Sequence, residues 1–533
     1  MFAHRSLLPP IPFLLPFLFT AAVLQATEMR ATAQDATRQT PLGEIVPNHY
    51  LVVYQDAAIP SDAEARTRLA GARVLRQHTR LGVTVVAANG TADDAANMQH
   101  LAAQRGVRLV VHDRMVYAHQ AIYHNPLAKP LTPMVALVNQ PAPAMAAADS
   151  YYNSPQGWAV RQVGGYGNSI PGGPARGPWN VTMGKGVKIA ILDTGLDAAH
   201  PDIAPNLIYN RSEVDQTPGT GLPSPCDDGS PQDQTGHGTW TASLAAGAEG
   251  DGTGLVIGVA PQASLLNIKV LERMPDFTQS TAAAQCENGQ ASGLMSWVLQ
   301  GIEDAVEQHA DVISMSLGSM VDLTTGDGAG LKTLFDQAAY AAEQTGTVLV
   351  AAAGNDGFDL SNPRYIELPA QARGVVAIVA STNPACAENL ASGAVCAPGP
   401  VTLPYYSNYG APLNALAAPG GDLPAGADDA VSGWVRGACS QGKPATTDGL
   451  PGDGSHSFGC FNMGHAAYVQ AMGTSASAPL AAGVTALFKA AHPGWDATAI
   501  VAAMRSGATP ATASLAYSQA TAAGLSASRL SIR

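Results

Sequence analysis

Charged side chains are scarce in this chain, 13% of 533 residues, and basic ones are scarcest. Only 28 Lys and Arg stand against 41 Asp and Glu, a formal net charge of −13. No basic stripe or cluster interrupts that balance. A phosphate-neutralising surface of the kind nucleic-acid binding needs is therefore excluded. No cysteine precedes Cys226, which argues against a lipid-anchored N-terminus. Beyond the first residues no apolar run is long enough to span a bilayer. Cys-x-x-Cys and Cys/His spacings are missing as well, so a zinc site has no support.

What is present begins at the N-terminus. His4 and Arg5 precede an apolar run from Leu7 to Leu24 and then small residues, the pattern of an export signal. Pro9, Pro10, Pro12 and Pro16 lie within the run and oppose a stable spanning helix; a retained anchor is the alternative. Residues 1–33 are read as a signal peptide cleaved after Ala26 or Ala33, and the product as secreted, extracellular or periplasmic. The cysteines Cys226, Cys286, Cys386, Cys396, Cys439 and Cys460 form an even set, which in an exported chain argues for disulfides. Proximity favours Cys386–Cys396 and Cys439–Cys460, leaving Cys226–Cys286.

Three segments carry the chemistry: ILDTGLDAAHPD around Asp193, GHGTWTASLAAG around His237 and GTSASAPLAAG around Ser475. Asp193 ends an apolar run (Val187, Ile189, Ala190, Ile191, Leu192) that reads as a buried strand. His237 and Ser475 each open an alanine-rich stretch that reads as a helix. Alone, each residue is more commonly a turn or cap residue. Together they supply a carboxylate, an imidazole and a hydroxyl, the parts of an activated nucleophile.

The order Asp, His, Ser and the wording of these segments resemble the subtilisin-like (subtilase) serine proteases, from roughly Trp179 to Pro510. Unrelated folds reach the same constellation in other orders. The resemblance implies a three-layer α/β fold with a mainly parallel sheet, covering residues 151–533, and an acyl-enzyme mechanism that needs no cofactor. It implies that Asn355 in AAAGNDG is the oxyanion-hole asparagine. Ser316-Leu317-Gly318 and Ala291-Ser292-Gly293 become the two edges that hold an extended substrate. Alignment on Pro369-Ala370 places Glu367 near the base of the S1 pocket and Asp356 near its mouth. An acid there favours Lys or Arg at P1, with a hydrophobic preference equally open. Asp202 matches a calcium-binding position of some members, although AEGDGTGLVIG lacks the expected asparagine; a structural calcium ion is thus an expectation. Trp240, Ala476 and Leu480 depart from the usual family residues without touching the chemistry.

Ahead of the triad, HYLVVYQD (49–56), LGVTVVAA (81–88) and VRLVVHDRMVYAH (107–119) read as strands, with helices at Ala63–Leu69 and Asp93–Gln104. This β-α-β-α-β pattern resembles the subtilase propeptide, a small ferredoxin-like α+β module that aids folding and then inhibits. Residues 34–119 are so read, with an unrelated accessory domain as the alternative. The Ala/Pro-rich stretch 120–150 reads as a linker containing the maturation cut. Within the larger part, 187–192, 264–271, 311–317, 347–353 and 374–380 read as strands of a parallel sheet, and 237–247, 292–309, 330–345 and 475–492 as helices. Insertions at Glu272–Gln290 and Gly421–Gln470 read as surface loops. The expectation is a monomeric, secreted, self-processing serine endopeptidase acting on proteins or peptides. Its alternatives are a narrow-specificity processing protease and a non-catalytic peptide-binding relative. The acid-acting sedolisin relatives carry Glu where His237 stands, so a neutral-to-alkaline optimum is expected.

Overall fold

The structure is a computed structural model that describes residues 42–88, 93–119, 157–163, 178–215, 223–249, 256–382, 401–421, 435–441, 460–463, 466–508, 517–518 and 520–525. The signal at 1–33, the linker at 120–150 and the cysteines Cys386 and Cys396 lie outside the described residues.

Residues 45–118 fold as β1 (Ile45–Tyr54), α1 (Ala63–Leu69), β2 (Ala72–His78), β3 (Val83–Ala88), α2 (Asp94–Ala102) and β4 (Val107–Ala118). The strands pair antiparallel in the order β4-β1-β3-β2, the ferredoxin-like arrangement. β1 is apolar on both sides because both are covered. Tyr50, Val52 and Val86 pack with Leu101 of α2, while Leu51, Val53, Val83 and Val111 join the core of the larger part. β2 was not expected from sequence. It is an edge strand, and Arg73, Arg76 and Gln77 break its apolar pattern.

The larger part continues with a short helix α3 (Trp158–Gln162), β5 (Lys188–Asp193), β6 (Leu207–Ser212), α4 (His237–Ala246), β7 (Ser264–Lys269), β8 (Leu271–Met274), α5 (Ala282–Glu287), β9 (Gln290–Leu294) and α6 (Met295–Glu307). There follow β10 (Val312–Met315), β11 (Leu317–Asp322), α7 (Gly326–Gln344), β12 (Val348–Ala352), β13 (Tyr365–Leu368), β14 (Val375–Ser381) and β15 (Leu416–Pro419). The last elements are β16 (Val435–Cys439), β17 (Phe461–Met463), β18 (Ala466–Ala471), α8 (Thr474–Ala491) and α9 (Ala497–Gly507).

Seven of these strands form one parallel sheet in the order β15-β14-β12-β10-β5-β7-β6. Its residues alternate between two cores. Ile189, Ile191, Val350 and Ile378 pack beneath α4 and α8; Ala190, Leu192, Met315 and Ala351 pack beneath α6 and α7. Covering both faces explains why the strands are continuous apolar runs, and it produces the expected three-layer α/β fold. The carboxyl ends of β5, β10 and β12 all open on the same edge of the sheet, where Asp193 ends β5 and Ser316 and Asn355 follow the other two.

The insertions are surface loops only in part: residues 276–286 of the first are half-buried or exposed, while its start and the described residues of the second are built into sheets. Glu272 and Arg273 lie on β8 and are buried, as is Lys269 just before them. The Lys269 ammonium donates to both Asp227 oxygens at 2.8 and 2.9 Å and to Gln234. Cys226–Cys286 tethers this cluster. The described residues of the second insertion form a three-stranded sheet, β16-β18-β17, stapled by Cys439–Cys460 and packed on α4 through Trp240. Sequence alternation could not show this, because small residues such as Gly437 and Ala438 give no apolar pattern. Among the described residues no helix is long and apolar enough to cross a membrane.

Glu272 gives a pH-dependent test of this packing. Burial pushes its carboxyl up to about 8, against one backbone hydrogen bond from Ser224 that favours the anion. A carboxyl with a raised folded pKa stabilises most below its unfolded value and loses that contribution as pH rises through the folded one. Glu272→Gln in a Ser475→Ala background should therefore match its parent near pH 4.5. It should melt higher by at least ~2 °C near pH 9. Thermal melts at both pH values check this; a difference independent of pH contradicts it.

Candidate active site

The apolar run of β5 ends at Asp193, and α4 begins at His237, so the sheet edge and the helix start bring the two side chains together. His237 Nδ1 lies 2.6 Å from Asp193 Oδ1. That same oxygen accepts from the Thr194 amide at 2.8 Å, and Oδ2 accepts from the Thr241 hydroxyl at 3.2 Å. The carboxylate is thus oriented on both oxygens and fixes the imidazole in turn. Gly236, with φ of 100°, makes the turn that starts α4.

A further residue holds this corner, and sequence reading missed it. Asp233 is fully buried and accepts from the backbone amides of Thr235, Gly236 and Thr239 and from the hydroxyls of Thr194, Thr235 and Thr239, all between 2.7 and 3.0 Å. It satisfies the free N–H groups at the start of α4 and ties them to the loop after Asp193. Its signal was the acid three residues before the Gly-His-Gly segment, which reads as an ordinary turn residue when taken alone.

Ser475 is the second residue of α8. Its hydroxyl donates to the backbone carbonyl of His119 at 2.8 Å and lies 3.2 Å from that of Ser316. The Asn355 amide nitrogen donates to the same His119 oxygen at 2.6 Å. Thr474 orients that amide, since its backbone N–H and hydroxyl both donate to Asn355 Oδ1 at 2.9 and 2.8 Å. One carbonyl oxygen therefore sits between a hydroxyl and an amide whose direction is set from behind.

The strand that delivers this carbonyl is β4. Met115, Val116 and Tyr117 pair antiparallel with Leu294, Gly293 and Ser292 on one side. Ala118 and Tyr117 pair with Leu317 and Gly318 on the other, and the His119 amide donates to Ser316 at 3.3 Å. Both sequence-predicted edges, 291–293 and 316–318, are thus brought to a single extended segment of the same chain; Ala291 itself pairs with Arg273 of β8.

Glu367 lies on β13, opposite Met320 of β11, and is 1% exposed. Its Oε1 is 3.3 Å from His119 Nε2. Burial pushes its carboxyl up to about 7, and Asp356 adds to the rise while His119 opposes it. Asp202 is also buried, and its carboxylate accepts from the Tyr468 hydroxyl at 3.0 Å. Among the described residues no group of three or more His, Cys, Asp or Glu surrounds a candidate metal. Residues 250–255 of the loop weighed with Asp202 lie outside the described residues.

A three-layer α/β sheet with a carboxylate, an imidazole and a hydroxyl at its carboxyl edge defines the class of protein. The sequence profile of the subtilase family, Peptidase_S8, matches residues 184–524, and the chain belongs to that family. An intracellular serine protease of Paenibacillus polymyxa is 38% identical over 197 residues, 36% of this chain and 49% of the relative. Thermitase of Thermoactinomyces vulgaris is 36% identical over 188 residues, 35% of this chain and 54% of its own. The match spans about half the length of these curated relatives. Fervidolysin of Fervidobacterium pennivorans, a keratinolytic enzyme related to subtilisin, superposes with a TM-score of 0.59 at 18% identity, over 91% of this chain and 62% of that one. An epidermin leader peptide processing serine protease of Staphylococcus aureus gives 0.58 at 17%, over 91% and 99%. At such identities the likeness speaks for the fold.

Removing the Asp233 carboxylate strands several buried donors at once. Asp233→Ala in the Ser475→Ala background should lose at least about 2 kcal/mol of stability, read by chemical denaturation. An unchanged midpoint and slope would show that the corner is held by other contacts.

Proposed function

We propose that this chain is a secreted serine endopeptidase, made as a self-processing precursor, in which Asp193, His237 and Ser475 form the catalytic triad. The observation that carries the reading is the His119 carbonyl oxygen, bracketed by the Asn355 amide at 2.6 Å and the Ser475 hydroxyl at 2.8 Å. Residues 34–119 act as a propeptide whose last strand fills the cleft.

Each residue then has a role that follows from its surroundings. Ser475 Oγ attacks the substrate carbonyl carbon, and His237 takes the hydroxyl proton. Asp193 holds the imidazole by Nδ1 and stabilises its cation. The carbonyl oxygen becomes an oxyanion facing the Asn355 amide, a donor already aimed before charge develops. Collapse breaks the C–N bond as His237 passes its proton to the leaving amine. Water then attacks the acyl-enzyme, His237 takes one of its protons, and a carboxylic acid product leaves with Ser475 restored. No metal or organic cofactor enters these steps. Because edges 291–293 and 316–318 recognise backbone, the substrate is an extended segment of protein or peptide.

Two measurements test the reading. Purified wild type should begin at residue ~120 while Ser475→Ala keeps the propeptide, residues 34–119, read by intact mass and N-terminal sequencing; identical processing of both refutes self-cleavage. Thr474→Val removes one of the two donors that aim the Asn355 amide. It should lower kcat by roughly fivefold to tenfold with KM little changed. A rise confined to KM would assign Thr474 to substrate binding instead.

A further inference from the structure

The side chain that precedes the proposed scissile bond is enclosed. His119 is 8% exposed and points its Nε2 at the Glu367 carboxyl, 3.3 Å away. Apart from this 3.3 Å contact with each other, neither His119 Nε2 nor Glu367 Oε1 has a hydrogen-bond partner among the described residues. Space for them exists because residue 318 is glycine: a Cβ there would overlap both atoms. The backbone of Glu367 is fixed beside this pair: its amide donates to Gln371 Oε1 at 2.8 Å and its carbonyl accepts from the Gln371 amide at 2.7 Å.

We propose that this cleft selects histidine at the residue whose carbonyl is attacked, with Glu367 as the specificity-determining side chain, and that the bond following His119 is the chain's own maturation site. The inference rests on the protease reading above and names the substrate class of that same site. An imidazole suits the carboxyl in either protonation state of the pair. Ionised Glu367 accepts from Nε2–H, and protonated Glu367 donates to bare Nε2. An apolar side chain in the same pocket leaves a buried carboxyl unpaired, which is the larger penalty. Lysine and arginine carry their charge farther from Cα on longer stems. The carboxyl stands 3.3 Å from an imidazole nitrogen, a position set for the shorter side chain.

The test is a peptide panel that copies Val116 to Ala118 and varies only the next residue among His, Phe and Lys, assayed with the matured full-length product. The His peptide should exceed the Phe and Lys peptides in kcat/KM by at least about tenfold. The mature N-terminus should be Gln120. In Glu367→Met the His-to-Phe ratio should fall by at least about tenfold, with serine-directed fluorophosphonate labelling used to count competent sites. If that variant does not fold, the wild-type panel alone decides. A Phe or Lys peptide cut as fast as the His peptide, or a mature N-terminus elsewhere, overturns the inference and leaves the protease reading standing. If no peptide is cut and fluorophosphonate fails to label Ser475, the protease reading falls and this inference falls with it.

Discussion

Two strand ends beside Ser475 satisfy their backbone groups with a third strand, and the site is organised around that pairing. β9 and β11 present Ser292–Leu294 and Leu317–Gly318 to the same segment, and only an extended chain fits between them. Pairing fixes where each carbonyl of the guest lies. Once Tyr117 and Ala118 are in register, the His119 carbonyl must lie at Ser475 and Asn355. Backbone register, a property indifferent to side chains, thus positions the reacting atom. Side-chain choice enters only at enclosed pockets such as that of Glu367.

The side chains proposed to react are themselves held by buried polar partners. Asp193 is fixed by Thr194 and Thr241, the start of α4 by Asp233, and the Asn355 amide by Thr474. In a low-dielectric interior such bonds are strong, and an unpaired member is costly. The network therefore tolerates few alternative arrangements, which is what a preorganised site requires. Supporting residues come from the loop after β5, the loop before α4, α4 itself and α8, elements that the parallel sheet brings to one edge.

Much of this was legible in the sequence, for a physical reason. Asp193, His237 and Ser475 stand in short segments of small residues, and the strands of the parallel sheet are buried on both faces and so read as apolar runs. Asp233 was not legible, because an acid before a turn looks the same whether it binds one donor or six. Nor was the burial of Glu272 and Arg273, since pairing partners distant in sequence decide whether a charge can leave water. Glu367 could be aligned to a pocket but not seen to be enclosed. The contact of His119 with Ser475 joins residues 356 positions apart and has no local trace.

The contact between the N-terminal unit and the larger part combines two kinds of interaction that separate differently. Leu51, Val53, Val83 and Val111 share an apolar core with α6 and α7, burial that favours association without regard to pairing. Around it lie polar pairs: Arg76 with Glu213 at 2.8 Å, His78 with Glu303 at 2.9 Å, and His112 with Asp327 at 2.7 Å. The Asp113 carboxylate accepts from the hydroxyl and amide of Ser296 at the start of α6. Desolvated pairs of this kind fix orientation more than they add affinity, because each side gives up water. None of these contacts involves the bond after His119. On the proposed reading, cutting that bond removes a covalent tether but leaves the apolar core, the polar pairs and the β4 pairing in place. After the first cut the cleft is held by non-covalent contacts alone, and how far it opens is set by the strength of this surface.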